Sequence, residues 1–190
     1  MINHPPRSGT NKEFVVYSGP MWSGKSTRLT AAVERHRLRK TAVLCFKPSI
    51  DGRYSETAIV THSGSSVAAI PVSSGSDILR HVTRHSPRVI AVDEAFMIDG
   101  CADALIEAFR SGVSVYVSSI ELSANLKTFP EMERILSFAT RVEKCAAVCV
   151  KCGADAYLTH RRVPSLEEIS VGGADTYEPL CWDCHPLAGD

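Results

Sequence analysis

Short apolar runs rich in β-branched residues recur along most of the chain, and each is continuous rather than alternating. This pattern is typical of strands buried on both faces of a parallel sheet. The segments between the runs carry apolar residues at helical spacing, most clearly Ala102, Leu105 and Ile106 within 99–110. Because predicted strands and predicted helices follow one another in turn, the sequence predicts an α/β domain. The predicted strands are the run from Phe14 to Gly19 and residues 42–46, 67–72, 89–92 and 113–118; the predicted helices are 27–40, 77–85, 99–110 and 131–140.

From Val148 onward the pattern changes to a stretch rich in turns and charge, bracketed by two C-x-x-C pairs. Such a segment predicts a small lobe stapled by metal rather than by its own core. The chain therefore divides into a polar tail at 1–13, expected to be disordered, an α/β domain at 14–145 and a small cysteine-bracketed lobe at 146–190.

The turn after the first predicted strand carries the first chemical signal. Two glycines at this spacing let successive backbone N–H groups point inward, and the following helix adds the positive end of its dipole. Lys25 can then reach the β- and γ-phosphates of a nucleoside triphosphate, and the Ser26 hydroxyl can ligate Mg²⁺. The alternative is a glycine-rich turn that merely precedes a helix. The residues expected to bind the nucleotide are Gly19-Pro20-Met21-Trp22-Ser23-Gly24-Lys25-Ser26-Thr27.

The strand at 89–92 ends in Asp93 and Glu94, a second chemical signal. An acidic residue at a strand tip downstream of a phosphate loop typically holds Mg²⁺, so Asp93 is predicted to share the ion with Ser26. Neighbouring strand residues point to opposite sides, so Glu94 is predicted to accept a proton from a substrate hydroxyl or from water. A solvated strand end is the alternative interpretation.

The connection at 48–66 is long and polar where a compact domain normally uses a few residues, so we expect it to be functional. It contains Asp51, Arg53 and Tyr54 between two strands whose carboxyl ends face the phosphate site. Arg53 is predicted to neutralise charge on a transferred phosphoryl group. A salt bridge within the loop is the alternative.

The balance of charge narrows the range of partners. Lysine plus arginine equals aspartate plus glutamate at 21 each, so no net field draws the chain to nucleic acid or to an anionic membrane, and neither partner is expected. No apolar stretch approaches the roughly 20 residues of a membrane span, and the first residues do not read as a signal peptide. The sequence therefore predicts a soluble cytoplasmic protein.

Four of the seven cysteines, Cys149, Cys152, Cys181 and Cys184, have the spacing that sets two thiolates from each of two turns around tetrahedral Zn²⁺. Four ligands leave no open position, so the predicted zinc site is structural. Two disulfides are the alternative, which the absence of an export signal disfavours.

Taken in order, these motifs resemble those of zinc-containing (type II) thymidine kinases. The resemblance runs from about residue 14 to 185 and rests on the phosphate loop, Asp51-x-Arg53-Tyr54-Ser55, Thr61-His62, Asp93-Glu94, the cysteine pairs, and Gly172-Gly173-Ala174-Asp175-x-Tyr177. It implies a RecA-like core with a central, mainly parallel sheet and a small ribbon-like zinc lobe.

The resemblance further implies ATP-dependent phosphorylation of the 5′-hydroxyl of thymidine or a related deoxyuridine nucleoside, by a homotetramer inhibited by thymidine triphosphate. Glu94 resembles the family's general base, and Lys25 and Arg53 its other catalytic residues. A lasso loop at 170–177 would read thymine through backbone groups. The implied substrate-binding residues are Met21, Asp51, Phe96, Val171, Gly172, Gly173 and Tyr177.

Two segments depart from the family. Ala95-Phe96-Met97 replaces a small residue, Gln and an aromatic, and Ile120-Glu121-Leu122-Ser123-Ala124 replaces Leu-Asp-Gly-x-Phe, which predicts a missing aromatic wall at Ala124. Two other functions stay open. One is a RecA-like ATPase or switch that binds nucleic acid through a zinc module, and the other is a nucleotide-binding kinase homologue with little turnover.

Overall fold

The computed structural model describes residues 12–188 apart from 53–54, 62–63 and 164–171. Strands and helices alternate up to residue 144, except that four strands follow one another between α1 and α2, and only short strands come after residue 144. In chain order the elements are β1 (Phe14–Ser18), α1 (Lys25–Leu38), β2 (Val43–Pro48), β3 (Ala58–Val60), β4 (Ser66–Ala68), β5 (Ile70–Val72), α2 (Gly75–His85), β6 (Val89–Asp93), α3 (Cys101–Arg110), β7 (Ser114–Ser119), α4 (Pro130–Phe138), β8 (Arg141–Lys144), β9 (Ala147–Val148), β10 (Asp155–Ala156), β11 (Leu158–Arg161) and β12 (Tyr177–Leu180).

Six strands form one sheet in the order β5-β2-β6-β7-β1-β8, and every ladder in it is parallel. Strand β7 therefore lies between β1, which leads into the phosphate loop, and β6, which ends at Asp93. Because the strands are parallel, their carboxyl ends meet at one edge. This register brings Ser18, Asp93 and Ser118 to the same edge of the sheet.

Both faces of the sheet are buried, which explains the continuous apolar runs. Successive residues of β1 alternate between two cores: Phe14 and Val16 belong to the larger cluster, which includes residues of α2, α3 and α4, whereas Val15 and Tyr17 pack with residues of α1. The hairpin of β3 and β4 adds Ile59 and Val67 to the α1 side.

The four predicted helices and the strands predicted near 14, 42–46, 89–92 and 113–118 are confirmed, with shifted ends. Helix α2 starts two residues before the predicted position because Ser74 and Asp77 form a capping box. Strand β8 was missed, since Arg141–Lys144 is short, polar and at the sheet edge.

The single strand predicted for 67–72 is wrong. The chain divides at Ala69, whose N–H donates to the carbonyl of Thr57 at 2.9 Å. Strand β4 before this point pairs with β3, while β5 after it pairs with β2 in the main sheet. The two halves therefore belong to different sheets, a choice that tertiary pairing makes and that a continuous apolar run cannot reveal.

After residue 145 the strands form two antiparallel pairs, β9 with β10 and β11 with β12. Their small core consists of two alanines, one leucine and two cysteines: Ala147, Ala156, Leu180, Cys149 and Cys181. None of the described helices combines the length and the apolar character that spanning a bilayer would require.

Candidate active site

The phosphate loop connects β1 to α1 through backbone conformations that favour glycine. Gly24 is the N-cap of α1 at φ 76°, and no side chain of the described residues caps that helix. A Cβ at Gly19 would lie 2.2 Å from the carbonyl oxygen of Cys145, so only glycine fits there. The first N–H groups of α1 are thus left for an anion, as a phosphate site requires.

Lys25 is the first residue of α1 and is only 6% exposed. Its ammonium donates to the carbonyl oxygen of Pro20 at 2.6 Å, and the Ser23 hydroxyl donates to the same oxygen at 2.8 Å. The cation is therefore held across the mouth of the loop, within the reach of a bound polyphosphate.

Asp93 ends β6 opposite Ser26. The Ser26 hydroxyl donates to Asp93 Oδ1 at 3.1 Å, and the Ser118 hydroxyl donates to the same oxygen. Burial and the neighbouring charge of Glu94 raise the pKa of Asp93 to about 6, against the lowering effect of the hydrogen bond from Ser118 and the charge of Lys25. A hydroxyl and a carboxylate this close are the oxygen ligands that Mg²⁺ prefers, so the residues fit that ion.

Glu94 adopts a left-handed conformation, with φ 48° and ψ 47°. Few residues other than glycine do so, and such positions concentrate at functional sites. Its N–H donates to the carbonyl of Ser118 at 2.7 Å, and its own carbonyl accepts from Met97 at 3.0 Å. The chain therefore leaves the sheet at Glu94, which sends this side chain and that of Asp93 to different positions around one cavity.

That cavity joins the predicted nucleotide residues to the long connection. Asp51 and Thr61, both buried, contribute to its lining from the long connection. Lys47, at the end of β2, lines it too, and its ammonium donates to the carbonyl of Ser55. The remaining lining residues include Met21, Trp22, Gly24, Lys25, Ser26, Thr27, Asp93 and Glu94.

The residues predicted to bind the nucleoside include a set on the lobe, Gly172, Gly173 and Tyr177. The N–H of Met21 donates to the hydroxyl of Thr159 on β11 at 3.3 Å, so the lobe touches the phosphate loop. Gly173 accepts hydrogen bonds from the N–H groups of Thr176 and Tyr177, at 3.1 and 3.0 Å. Because Tyr177 pairs with Arg161, two residues beyond Thr159, the loop lies about 7 Å further along the hairpin.

Four predicted positions need separate mention. Arg53 and Val171 lie outside the described residues. Phe96 is described, and its ring packs against Phe129 with centroids 4.5 Å apart, inside the larger core cluster. Ala124, where the missing wall was predicted, is half-buried in the connection between β7 and α4.

The ligand atoms of Cys149, Cys152, Cys181 and Cys184 all lie within 4.8 Å of one another. Tetrahedral zinc with Zn–S bonds of about 2.3 Å requires sulfur separations of about 3.8 Å, so the cluster fits the ion. Burial opposes ionisation of Cys149, but backbone N–H groups of Cys181 and Cys152 lower its pKa to about 6.

Sequence reasoning missed four residues around the site: Ser118, Ser119, Lys47 and Thr159. Two adjacent serines at the end of an apolar strand, and a lysine at the end of another, were available signals, because the carboxyl ends of parallel strands share an edge. Thr159 carried no such signal. Only the folded lobe brings it to Met21.

Comparison with known proteins points to one family. A family model described as thymidine kinase matches residues 12–185. A protein named thymidine kinase from Bacteroides thetaiotaomicron is 34% identical over 171 residues, covering 90% of this chain and 85% of that protein. Another of the same name from Bacteroides fragilis is 33% identical over 174 residues, with 91% and 86% covered.

A solved structure of the genome packaging NTPase B204 from Sulfolobus turreted icosahedral virus 2 has a TM-score of 0.49 and 14% identity to this chain. It covers 73% of this chain and 76% of that one. The fold is defined by this chain's own strand order and strand direction, its phosphate loop and its acidic strand tip. It does not rest on the similarity to that NTPase.

Proposed function

Because this chain belongs to the thymidine kinase family, we propose that it transfers the γ-phosphoryl group of ATP to the 5′-hydroxyl of thymidine or of a closely related deoxyuridine nucleoside. One observation supports the proposal most directly. The phosphate loop and the turn that begins with Asp93 and Glu94, called the acidic turn below, line one cavity, and the lobe contacts the phosphate loop. The product would be a nucleoside monophosphate for nucleotide salvage.

In the proposed reaction the chain's own groups divide the work. The uncapped start of α1 binds the phosphates through its N–H groups, and Lys25 neutralises the charge that develops on the transferred group. Ser26 and Asp93 would hold Mg²⁺, which when bound supplies charge neutralisation between the β- and γ-phosphates. Arg53 is proposed to add a further positive charge.

Glu94 is proposed as the general base. Its left-handed backbone turns it away from the direction of β6 and into the cavity that Asp93 also lines. There it accepts the proton of the nucleoside 5′-hydroxyl as that oxygen attacks the γ-phosphorus, while the bond from this phosphorus to the β–γ bridging oxygen breaks and ADP leaves with the electron pair. The hydroxyls of Ser26 and Ser118 donate hydrogen bonds to Asp93. Asp93 is therefore proposed to hold Mg²⁺ and Glu94 to accept the proton.

The nucleoside is proposed to lie between the phosphate loop and the lobe. Gly172 and Gly173 let backbone groups approach a base closely, and Tyr177 follows at the start of β12. Met21 and Asp51 are proposed to contact the nucleoside from the kinase side, with Val171 on the lobe side. Zn²⁺ on the four cysteines would supply the stability that this small lobe needs.

A panel of deoxynucleosides with labelled ATP tests the proposal directly. We expect thymidine to be phosphorylated, and ATP hydrolysis to be unaffected by added DNA or RNA. If nucleic acid raises hydrolysis and no nucleoside is phosphorylated, the alternative of an ATPase or switch with a nucleic-acid-binding zinc module replaces the proposal. If ATP binds and neither reaction occurs, the chain is a nucleotide-binding homologue with little turnover.

Two further parts of the proposal concern assembly and location. A homo-oligomer, a tetramer by family resemblance, is proposed, and light scattering coupled to size exclusion measures its mass. The cytoplasm is proposed as the compartment, because none of the seven cysteines, all of which lie among the described residues, forms a disulfide, as is usual in a reducing environment.

A further inference from the structure

Two adjacent serines at the end of β7 contact the acidic turn. Ser118 and Ser119 are both fully buried, and their strand lies between β1 and β6. Ser118 pairs with Asp93 in the parallel ladder, so its side chain and backbone both reach the point where β6 ends. This strand tip lies next to Asp93 yet bears no charge of its own.

The hydroxyl of Ser118 donates to Asp93 Oδ1. The same oxygen accepts from Ser26 at 3.1 Å, so one carboxylate oxygen is held from both sides, by the phosphate-loop helix and by the central strand. Two donors on one oxygen restrict the rotation of the carboxylate about its Cβ–Cγ bond. They also satisfy part of its negative charge without any cation.

Backbone bonds continue the contact into the turn. The carbonyl of Ser118 accepts the N–H of Glu94 at 2.7 Å, and the hydroxyl of Ser119 accepts the N–H of Phe96 at 3.3 Å. Two residues of β7 therefore hold alternate N–H groups of the segment in which Glu94 has φ 48°. A left-handed residue persists only when its surroundings over-determine it, and these bonds do so.

We propose that Ser118 and Ser119 are positioning residues for phosphoryl transfer, Ser118 orienting the magnesium carboxylate Asp93 and Ser119 fixing the turn that aims the base Glu94. The inference rests on the proposed function, which assigns those two roles. Neither serine touches substrate. Each acts through the carboxylate next to it, so the two substitutions have different kinetic consequences.

Alanine at each position tests the division, because it removes only the hydroxyl and leaves the strand backbone and the bond to Glu94 in place. Ser114→Ala is the matched control, since Ser114 begins the same strand and its hydroxyl accepts from the N–H of Glu13, at the end of β7 away from the site. Conservative Ser→Thr variants at 118 and 119 restore the hydroxyl. Melting temperature and zinc content verify that each variant folds.

For Ser118→Ala we expect the Mg²⁺ concentration for half-maximal rate to rise by about tenfold, the usual effect of losing one hydrogen bond to a charged group. Calorimetry with a non-hydrolysable ATP analogue, with and without Mg²⁺, gives a second readout that needs no turnover. We expect the gain in affinity that Mg²⁺ confers to shrink by a similar factor. Ser118→Thr should restore both quantities.

For Ser119→Ala we expect kcat to fall by roughly three- to tenfold while analogue affinity and the Mg²⁺ requirement stay within about twofold of the wild type. If Ser118→Ala changes neither Mg²⁺ readout, or if both alanine variants change kcat and Mg²⁺ dependence alike, the assignment of separate positioning roles is overturned. A wild-type protein that binds the Mg²⁺-analogue complex but phosphorylates no nucleoside would refute the proposed function instead, and the calorimetric test of Ser118 would still stand.

Discussion

The two halves of the site are stabilised in different ways. On the phosphate side, Gly24, Lys25 and Asp93 lie at the ends of strands and a helix whose apolar residues belong to two extensive cores on either face of a six-stranded sheet. On the lobe side, Thr159, Gly173 and Tyr177 belong to a hairpin beside a core of only two alanines, one leucine and two cysteines. We expect core packing to hold the phosphate side in place, and we expect the lobe to depend on its cysteines for stability.

The difference teaches where each kind of perturbation acts. Burial of many apolar side chains makes the phosphate side tolerant of losing a single contact, because the backbone that positions it stays in place. The lobe has a small core and lacks such a reserve, and the proposed zinc site would supply its stability. Chemistry and recognition are therefore separable by mutation, joined by the hydrogen bond between Met21 and Thr159.

The largest effect belongs to the chemical half. Glu94→Gln keeps the shape of the side chain but removes the base, so we expect kcat for thymidine to fall by about 10² to 10⁴, the usual contribution of a positioned base. Affinity for ATP and zinc content are expected to stay unchanged. Glu107→Gln, on the exposed face of α3, is the control. A decrease below threefold means that Glu94 is not the base.

Loss of the metal tests the other half. Cys181→Ser removes one of four ligands, so we expect zinc content to fall from one per chain and kcat/KM for thymidine to drop at least about tenfold as the lobe unfolds. Affinity for a non-hydrolysable ATP analogue should change much less, because the phosphate side has its own core.

Metal analysis, calorimetry and kinetics measure these three quantities. Cys45→Ala is the matched control, because Cys45 is a buried cysteine of the main sheet. Full zinc stoichiometry in the Cys181→Ser protein contradicts the four-cysteine site, and equal loss of nucleotide binding contradicts the separation of the two halves.

The link between the halves should have an intermediate effect. Thr159→Val is close to isosteric but removes the acceptor for the N–H of Met21, which leaves a half-buried donor unpaired at a cost of about 1 to 3 kcal/mol. We expect KM for thymidine to rise by roughly threefold or more, with zinc content unchanged.

Thr159→Ser keeps the hydroxyl and should behave like the wild type. Steady-state kinetics of the two variants side by side make the comparison. If valine and serine have the same effect, the methyl group matters at this position and the hydrogen bond does not join the halves.

The smallest effect concerns the base. If Ala124 stands where the family has an aromatic wall, the pocket buries the 5-methyl group of thymine less completely. Full burial of one methyl group contributes about 0.8 kcal/mol to the free energy of binding. We expect deoxyuridine to compete with thymidine within about tenfold, and deoxycytidine to be disfavoured because its amine faces groups suited to a carbonyl.

Values of kcat/KM for the three nucleosides measure this, and Ala124→Phe is expected to increase the preference for thymidine. A preference for thymidine above a hundredfold in the wild type would show that another residue forms the wall. Deoxycytidine as the best substrate would overturn the proposed recognition by the 172–177 loop.

The sequence was sufficient to predict those features that depend on interactions between residues close together in the chain. Glycines at 19 and 24 specify backbone conformations, continuous apolar runs specify strands buried on both faces, and paired cysteines bring their sulfurs together through a short turn. For these reasons the parallel sheet and the cysteine cluster were predictable. The roles of Lys25, Asp93 and Glu94 stay predictions, although the structure brings all three to one cavity.

Only the tertiary structure decided which strands lie side by side. The apolar run at 67–72 contains nothing that divides it at Ala69, yet its halves pair with β3 and with β2. Nor does the sequence indicate that β7 separates β1 from β6, which is what carries Ser118 and Ser119 to the acidic turn. Strand order and the seating of the lobe on Met21 arise from packing between residues distant in sequence, and no local pattern records such contacts.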